Sequence, residues 1–215
     1  MQDVAAATRS YGGVTADERR ARRRAALIDA GLNLFAESGA SGVTMRAVCA
    51  RARLNDRYFY EHFTDSDALL EAAAQDITAQ GLQTVIAATV EAGSDIRDQV
   101  HAAADAALDF MIDDPRRSQL LLGSHTIEVL QRARLASTRA IANAMSAMAQ
   151  ELLGDSAPSP LDTDLAAFTI VSGTMELAAA WLRGDYDISR QHLADLVAAM
   201  LLAATDISTA LPQST

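Results

Sequence analysis

Arginines and tyrosines at short spacings near the N-terminus are the residues of this chain best placed to do chemistry. Arg19, Arg20, Arg22, Arg23 and Arg24 form one tight run, and Asn55, Asp56, Arg57, Tyr58, Tyr60 and His62 form a second cluster further on. Such a set is suited to recognising phosphates and base edges. A guanidinium fork donates paired hydrogen bonds to phosphate or guanine, and a tyrosine hydroxyl donates to phosphate. The arginine run can equally be a solvated helix face. Its position in the first turns of a helix opposes the helix dipole, so helix stability does not account for it.

Other chemistries find no residues to carry them. All 18 basic residues are arginine, which excludes a lysine nucleophile, a Schiff base and a P-loop lysine. Gly39-Ala40-Ser41-Gly42 therefore is no P-loop, and neither a dinucleotide fingerprint nor a nucleophile elbow occurs. An enzyme is not expected. Cys49 is the single cysteine and the four histidines are scattered; His101 and Asp105, four apart, lack a third ligand. Neither a metal nor a cofactor is expected. Met1–Gly13 has no signal-peptide apolar run, and Leu165–Leu182 is interrupted by Thr169, Ser172, Thr174 and Glu176, so a buried helix in a cytoplasmic protein is expected rather than a membrane span.

The formal charge of −10 argues against nucleic acid as a partner only if it is evenly spread. It is not. Residues 1–63 hold ten arginines against seven acids, a net of +3, whereas residues 64–215 hold eight against twenty-one, a net of −13.

Helical spacing runs through the chain that must position these groups, and strict apolar–polar alternation is nearly absent. Thr15-Ala16-Asp17-Glu18 is a capping box, with Leu27, Ile28, Gly31, Leu34 and Phe35 on one face behind it. Thr44 caps a short second helix through Arg51, Asn55 a third through about His62, and Thr64 or Asp65 a fourth towards Glu91. Further helices are predicted over Ile96–Asp113, from Pro115, from beyond Gly123 to about Leu153, over Leu161–Leu182 and over Ser189–Ala204. The fold class is all-α, with about nine helices. The expected division is an arm at 1–14, a three-helix helix-turn-helix domain at 15–63, a larger helical domain at 64–205 and a frayed tail at 206–215. In the helix-turn-helix, Phe59 and Phe63 face inward towards Leu27, Phe35, Val48 and Leu54. Arg57, Tyr58 and Glu61 are left outward, with Asp56 and Tyr60 alongside.

Beyond this pattern, residues Leu27 to Leu70 resemble the DNA-binding region of the tetracycline-repressor (TetR) family of bacterial transcription regulators. The likeness rests on Leu27-Ile28-x-Ala30, Leu34-Phe35-x-x-x-Gly39, Val43-Thr44, Val48-x-Ala50-x-Ala52, Tyr60-x-His62-Phe63 and Leu69-Leu70. It implies that Thr44, Tyr58, Tyr60 and His62 contact or orient on phosphates, and that Arg46 also belongs to the DNA-binding set. Asn55, Asp56 and Arg57 would open the recognition helix, with Arg57 reading a base. Three positions depart from the family pattern: Arg53 stands where the turn usually has glycine, Ser66 where lysine is usual, and Tyr58 where a small residue is common.

The resemblance further implies a ligand-binding and dimerisation domain after residue 64. The last two helices would pair with their copies in a homodimer, and a pocket would accept a small-molecule effector. Leu193, Leu196, Val197, Met200, Leu201 and Ala204 share one face, and Ser172, Gly173 and Ala180 are small enough for close approach, although an intramolecular core would use the same spacing. Candidate pocket residues are Phe110, Met111, Leu121, His125, Met145, Met175, Glu176 and Trp181. Glu176 would anchor a cationic ligand or pair with an arginine across the dimer. The expected activity is repression from a palindromic double-stranded operator, relieved by the effector. The alternative is a helical small-molecule-binding or interaction protein without specific DNA binding.

Overall fold

In a computed structural model that describes residues 15–123, 127–154 and 157–204, the capping box at Thr15 forms as its sequence dictates. The Thr15 hydroxyl accepts from the Glu18 amide at 3.1 Å, and the Glu18 carboxylate accepts from the Thr15 amide at 2.7 Å. Helix α1 (Ala16–Ser38) follows, burying Leu27, Ile28, Ala30, Gly31, Leu32 and Phe35. Gly39 ends it at a φ of +66°, its amide donating to the Phe35 carbonyl. A 3-10 turn (Ala40–Gly42) leads to Thr44, which caps α2 (Met45–Ala52).

Arg53 then takes the left-handed conformation, φ 54° and ψ 41°, the one described non-glycine residue with positive φ. The glycine-favouring geometry of a helix C-terminus is thus retained here without glycine, at a cost of about 1 kcal/mol. Asn55 caps α3 (Asp56–Tyr60). This helix ends two residues before the expected His62, because the His62 amide bonds back only three residues to the Phe59 carbonyl and tightens the turn. Asp65, not Thr64, accepts from the Ala68 amide at 2.8 Å and opens α4 (Ser66–Glu91).

The chain divides into two compact units, one ending at Ala73 and the other starting at Ala74. The first, here called the head, thus includes the first turns of α4. Leu69 and Leu70 are fully buried there, and a Cβ on Gly31 would sit 2.3 Å from the Leu69 side chain. A side chain at 31 would require the end of the Leu69 side chain to shift.

The second unit, the body, holds the rest of α4 with α5 (Ile96–Asp113), α6 (Pro115–Leu122), α7 (Glu128–Leu153), α8 (Pro160–Leu182) and α9 (Arg190–Ala204). Asp95, Asp114 and Ser159 cap α5, α6 and α8, and Pro115 and Pro160 occupy the first helical positions, where no amide is needed. The described residues contain helices and no strand, as expected. Helices α5 and α9 share a core of Ala104, Leu108, Leu193, Ala194, Val197 and Ala198. Helix α7 packs on α8, joined by hydrogen bonds from Ser146 to Asp164 and from Gln150 to Thr163. On α9 the apolar face divides: Leu193 and Val197 are buried within the chain, whereas Leu196 is exposed. Leu161, Leu165 and Phe168 of α8 are exposed too, and Gly173 faces open space. Among the described helices α8 has the length and mean hydropathy, 1.5, of a membrane-crossing segment. The expectations for 1–14 and 206–215 lie outside the described residues.

Candidate nucleic-acid interface and body cavity

Phe59 is fully buried and Phe63 nearly so, their rings 5.7 Å apart, and together they anchor the short α3 in the head. The opposite side of the helix stays outward. Arg57 has 84% of its side chain exposed and its Nε lies 3.2 Å from Glu61 Oε1. An exposed pair of this kind is worth at most about 1 kcal/mol, so Arg57 is readily released to another acceptor. Tyr60 is 60% exposed, its ring edge-on to Phe59. Thr44, Arg46, Asn55 and Asp56 are exposed as well. Two of these also serve locally, since Thr44 Oγ1 accepts from the Ala47 amide and Asn55 Oδ1 from the Tyr58 amide.

Tyr58 and His62 are placed differently. The Arg23 guanidinium lies over the Tyr58 ring at 4.6 Å, and the tyrosine is only partly exposed. A large ring where a small residue is common therefore acts as a packing surface for α1. His62 is half-buried, with Nε2 enclosed and without a hydrogen-bond partner. Burial lowers its pKa below the ordinary histidine value, and the charges of Arg20, Arg23 and Arg24 push in the same direction against Glu61.

The arginine run of α1 consequently does more than meet solvent. Arg20 donates to the Glu61 carbonyl at 3.3 Å, Arg23 pairs with the Glu61 carboxylate at 3.7 Å, and Arg24 lies 5.9 Å from the Phe63 ring centre. These cations meet the C-terminal end of α3, where the helix dipole favours positive charge. Spacing alone places Arg20 and Arg23 on one stripe with Leu27 and Gly31, at i, i+3, i+7 and i+11, without indicating which element that end of the stripe meets. On the neighbouring helix Arg51 grips Glu37 through two bonds of 2.8 and 2.7 Å, which hold the glutamate pKa below its usual range.

In the body a cavity of about 330 Å³ opens among α4 to α9, within the size range of small-molecule sites. Phe110, Met111, Leu121, Met145 and Met175 line it. Two expected residues do not. Glu176 is an exposed side chain on α8 paired with Arg134, so it neither faces the cavity nor anchors a cation there. Trp181 joins the α5–α9 core, and its indole N–H donates to the Ile188 carbonyl at 2.9 Å. His125 lies outside the described residues. The sequence reading missed the contribution of α4, including Ile77, Thr78, Gly81 and Thr89, because its alternation of small and hydroxyl residues marks no sharp apolar face. His101 is occupied by the Arg97 carbonyl and Asp105 by Arg190, and the described residues contain no cluster suited to a metal.

Residues 27–73, which include the whole α2–turn–α3 motif, match the family of bacterial regulatory proteins described as the tetR family. The chain is 33% identical over 87 residues to the HTH-type transcriptional regulator BetI of Burkholderia cenocepacia, a match covering 40% of this chain and 45% of that protein. The matched stretch thus spans less than half of that curated relative. In three dimensions the likeness extends further. A structure from Syntrophomonas wolfei assigned to TetR-family transcriptional regulators superposes with a TM-score of 0.71 at 14% identity, over 91% of this chain and 99% of that one. The transcriptional regulator FadR from Bacillus subtilis, in complex with stearoyl-CoA, superposes at 0.67 with 16% identity, over 84% and 98%. Residues 27–73 thus carry the sequence pattern of the tetR family of bacterial regulatory proteins, and the described helices share the fold of these two solved structures.

Proposed function

We infer that this protein is a DNA-binding transcriptional regulator, a repressor that holds a palindromic operator as a homodimer and is released by a small-molecule effector. The single observation that carries the reading is α3: two buried phenylalanines fix it in the head while Arg57 and Tyr60 are left outward at the surface. In this reading Arg57 reads a base edge in the major groove, with Asn55 and Asp56 opening the recognition helix. Thr44, Arg46 and Tyr60 bond phosphates. Tyr58 and His62 orient the helix from beneath. A protein working on DNA in this way is cytoplasmic.

A homodimer is supported by the exposed Leu161, Leu165 and Phe168 of α8, Leu196 of α9 and the open Gly173. Covering these on a second copy gives the long apolar α8 an aqueous home, and two-fold symmetry would present two recognition helices at half-site spacing. A neighbour of the same fold is solved with stearoyl-CoA, and the body cavity supports a ligand-binding role here as well. Helix α4 contributes residues to both units, so it is the element through which ligand binding would alter DNA binding. By linkage, DNA would weaken the ligand by the same factor as the ligand weakens DNA.

The test is a gel-shift titration of the full chain against duplexes from its own upstream region at several salt concentrations. Saturable binding to a palindrome, with affinity falling steeply as salt rises, is expected. Absence of binding, or binding without salt dependence, would leave a helical ligand-binding protein without a DNA role.

A further inference from the structure

Among the described residues, the acidic body lines its cavity with no charged side chain. Among the described residues lining it, every side chain is apolar except Gln99 and four threonines, Thr78, Thr89, Thr163 and Thr174. Burying a carboxylate or an ammonium in such surroundings forfeits its hydration with nothing to replace it. Two charged groups that adjoin lining residues are engaged elsewhere. Glu176 is exposed and paired with Arg134, and Arg117 lies over the Phe110 ring at 4.0 Å while donating to the Phe110 carbonyl at 2.8 Å; neither lines the cavity.

The threonines are not equivalent. Thr78 and Thr89 each donate to the carbonyl four residues earlier in their own helix, both at 2.8 Å, and Thr163 donates to the carbonyl of the α8 cap residue Ser159 at 3.0 Å. That is the usual way a helical hydroxyl is satisfied. Thr174 does not: its Oγ1 is buried and has no hydrogen-bond partner. A buried polar group left unpaired in a native fold calls for a physical account. Here the residue sits on the wall of a cavity otherwise ready to receive apolar surface, and a bound oxygen atom would satisfy it. Four methionines on that wall, Met111, Met145, Met148 and Met175, supply adaptable surface for a flexible chain.

We propose that the body cavity takes a neutral, predominantly apolar ligand whose one polar oxygen, a hydroxyl or carbonyl, pairs with the Thr174 hydroxyl, and that it discriminates against carboxylates and quaternary ammonium ions of the same chain length. The inference rests on the ligand-binding role given to the body above and specifies its chemistry.

The test uses the purified full chain without DNA, with 1-decanol, decanoate and decyltrimethylammonium as probes in calorimetric titrations at neutral pH. Decanol should bind at least about tenfold more tightly than either ion, the cost of burying an uncompensated charge. Thr174→Val should weaken decanol about fivefold to tenfold, the worth of one hydrogen bond in a dry site, and Thr174→Ser should restore it. The thermal midpoint of Thr174→Val should not fall, because the valine removes an unpaired hydroxyl at nearly constant volume. Decanoate or decyltrimethylammonium binding as tightly as decanol would overturn the neutral class. Equal decanol affinity in wild type and Thr174→Val would overturn the pairing, and no saturable binding by any probe would overturn the cavity as a site. If decanol binds as expected but leaves operator affinity unchanged, the cavity proposal stands and the effector role falls.

Discussion

The head and the body solve opposite packing problems. Three of the five phenylalanines of the chain, Phe35, Phe59 and Phe63, are buried in the head, where large rings fill the space between short helices. The body relies on alanine and hydroxyl side chains: Ala104, Ala142, Ala167, Ala178, Ala179, Ala194 and Ala198 are buried, with Ser137, Ser146 and Thr163 among them. Small residues let long helices approach, but they cannot fill the volume enclosed between helices, and a cavity remains. A filled core holds an outward-facing helix still, as recognition of a rigid duplex requires. A core with space in it accepts a guest.

The sharpest way to break this contrast is to open the head. Phe59→Ala removes a fully buried ring and should cost about 3–5 kcal/mol, lowering the urea midpoint followed by far-ultraviolet circular dichroism and abolishing operator binding. Trp181, the one tryptophan, lies in the body, so its fluorescence transition should stay where it was. A parallel loss in both signals would show that the two units do not differ in the way described.

Next comes the outward side of α3. Arg57→Ala should weaken operator binding by about 1–3 kcal/mol, the worth of a bidentate base contact, with no change in thermal midpoint. Tyr60→Phe should cost about 1 kcal/mol in the same assay, as one phosphate hydrogen bond. Gel-shift affinities unchanged in both variants would remove α3 from the interface.

Arg53 sharpens the comparison from the other side, since a filled head tolerates a strained residue only if something is gained. Arg53→Gly should stabilise the head by about 1 kcal/mol, by relieving the left-handed conformation of a side-chain-bearing residue. If Arg53 also bonds phosphate, in place of the lysine absent at Ser66, the same variant should bind DNA less tightly and with a shallower salt dependence. Higher stability with unaltered DNA affinity would assign the arginine no role at the interface.

The smallest effect expected is a pH dependence. The fold holds the His62 pKa below about 6.5, its unperturbed value, so between the two values the unfolded chain binds more protons than the native one. The stability contributed by the neutral ring is complete above about pH 6.5 and is lost as pH falls through the lower native pKa. Thermal melts between neutral and mildly acidic pH should show wild type losing more than His62→Gln. Added salt should narrow the gap, because the arginine charges that assist burial are screened. Parallel pH profiles for the two proteins would contradict the burial of Nε2.

Much of this was legible from local signals. The capping box and single caps are decided within a few residues, because they satisfy amides that the helix itself cannot, and each predicted cap at Thr15, Thr44 and Asn55 formed; Pro115 opened its helix as predicted, whereas Pro160, read as the end of a loop, opens α8. The inward placement of Phe59 and Phe63 followed from a spacing of four. The pocket was read less well. Glu176 and Trp181 sit on a helix that does line the cavity, yet a rotation of 100° per residue carries each away from it, one to Arg134 and one to the α5–α9 core.

The helices, most of their caps, the helix-turn-helix and the uneven division of charge were legible from sequence alone, since each depends on interactions between residues close along the chain or on simple counting. Only the tertiary structure decided that Arg20, Arg23 and Arg24 meet α3, that Tyr58 is a packing surface, and that Thr174 alone of the cavity threonines lacks a partner. Those outcomes depend on which helix faces which, and the energies that choose between such arrangements come from burial and pairing across distant stretches of chain.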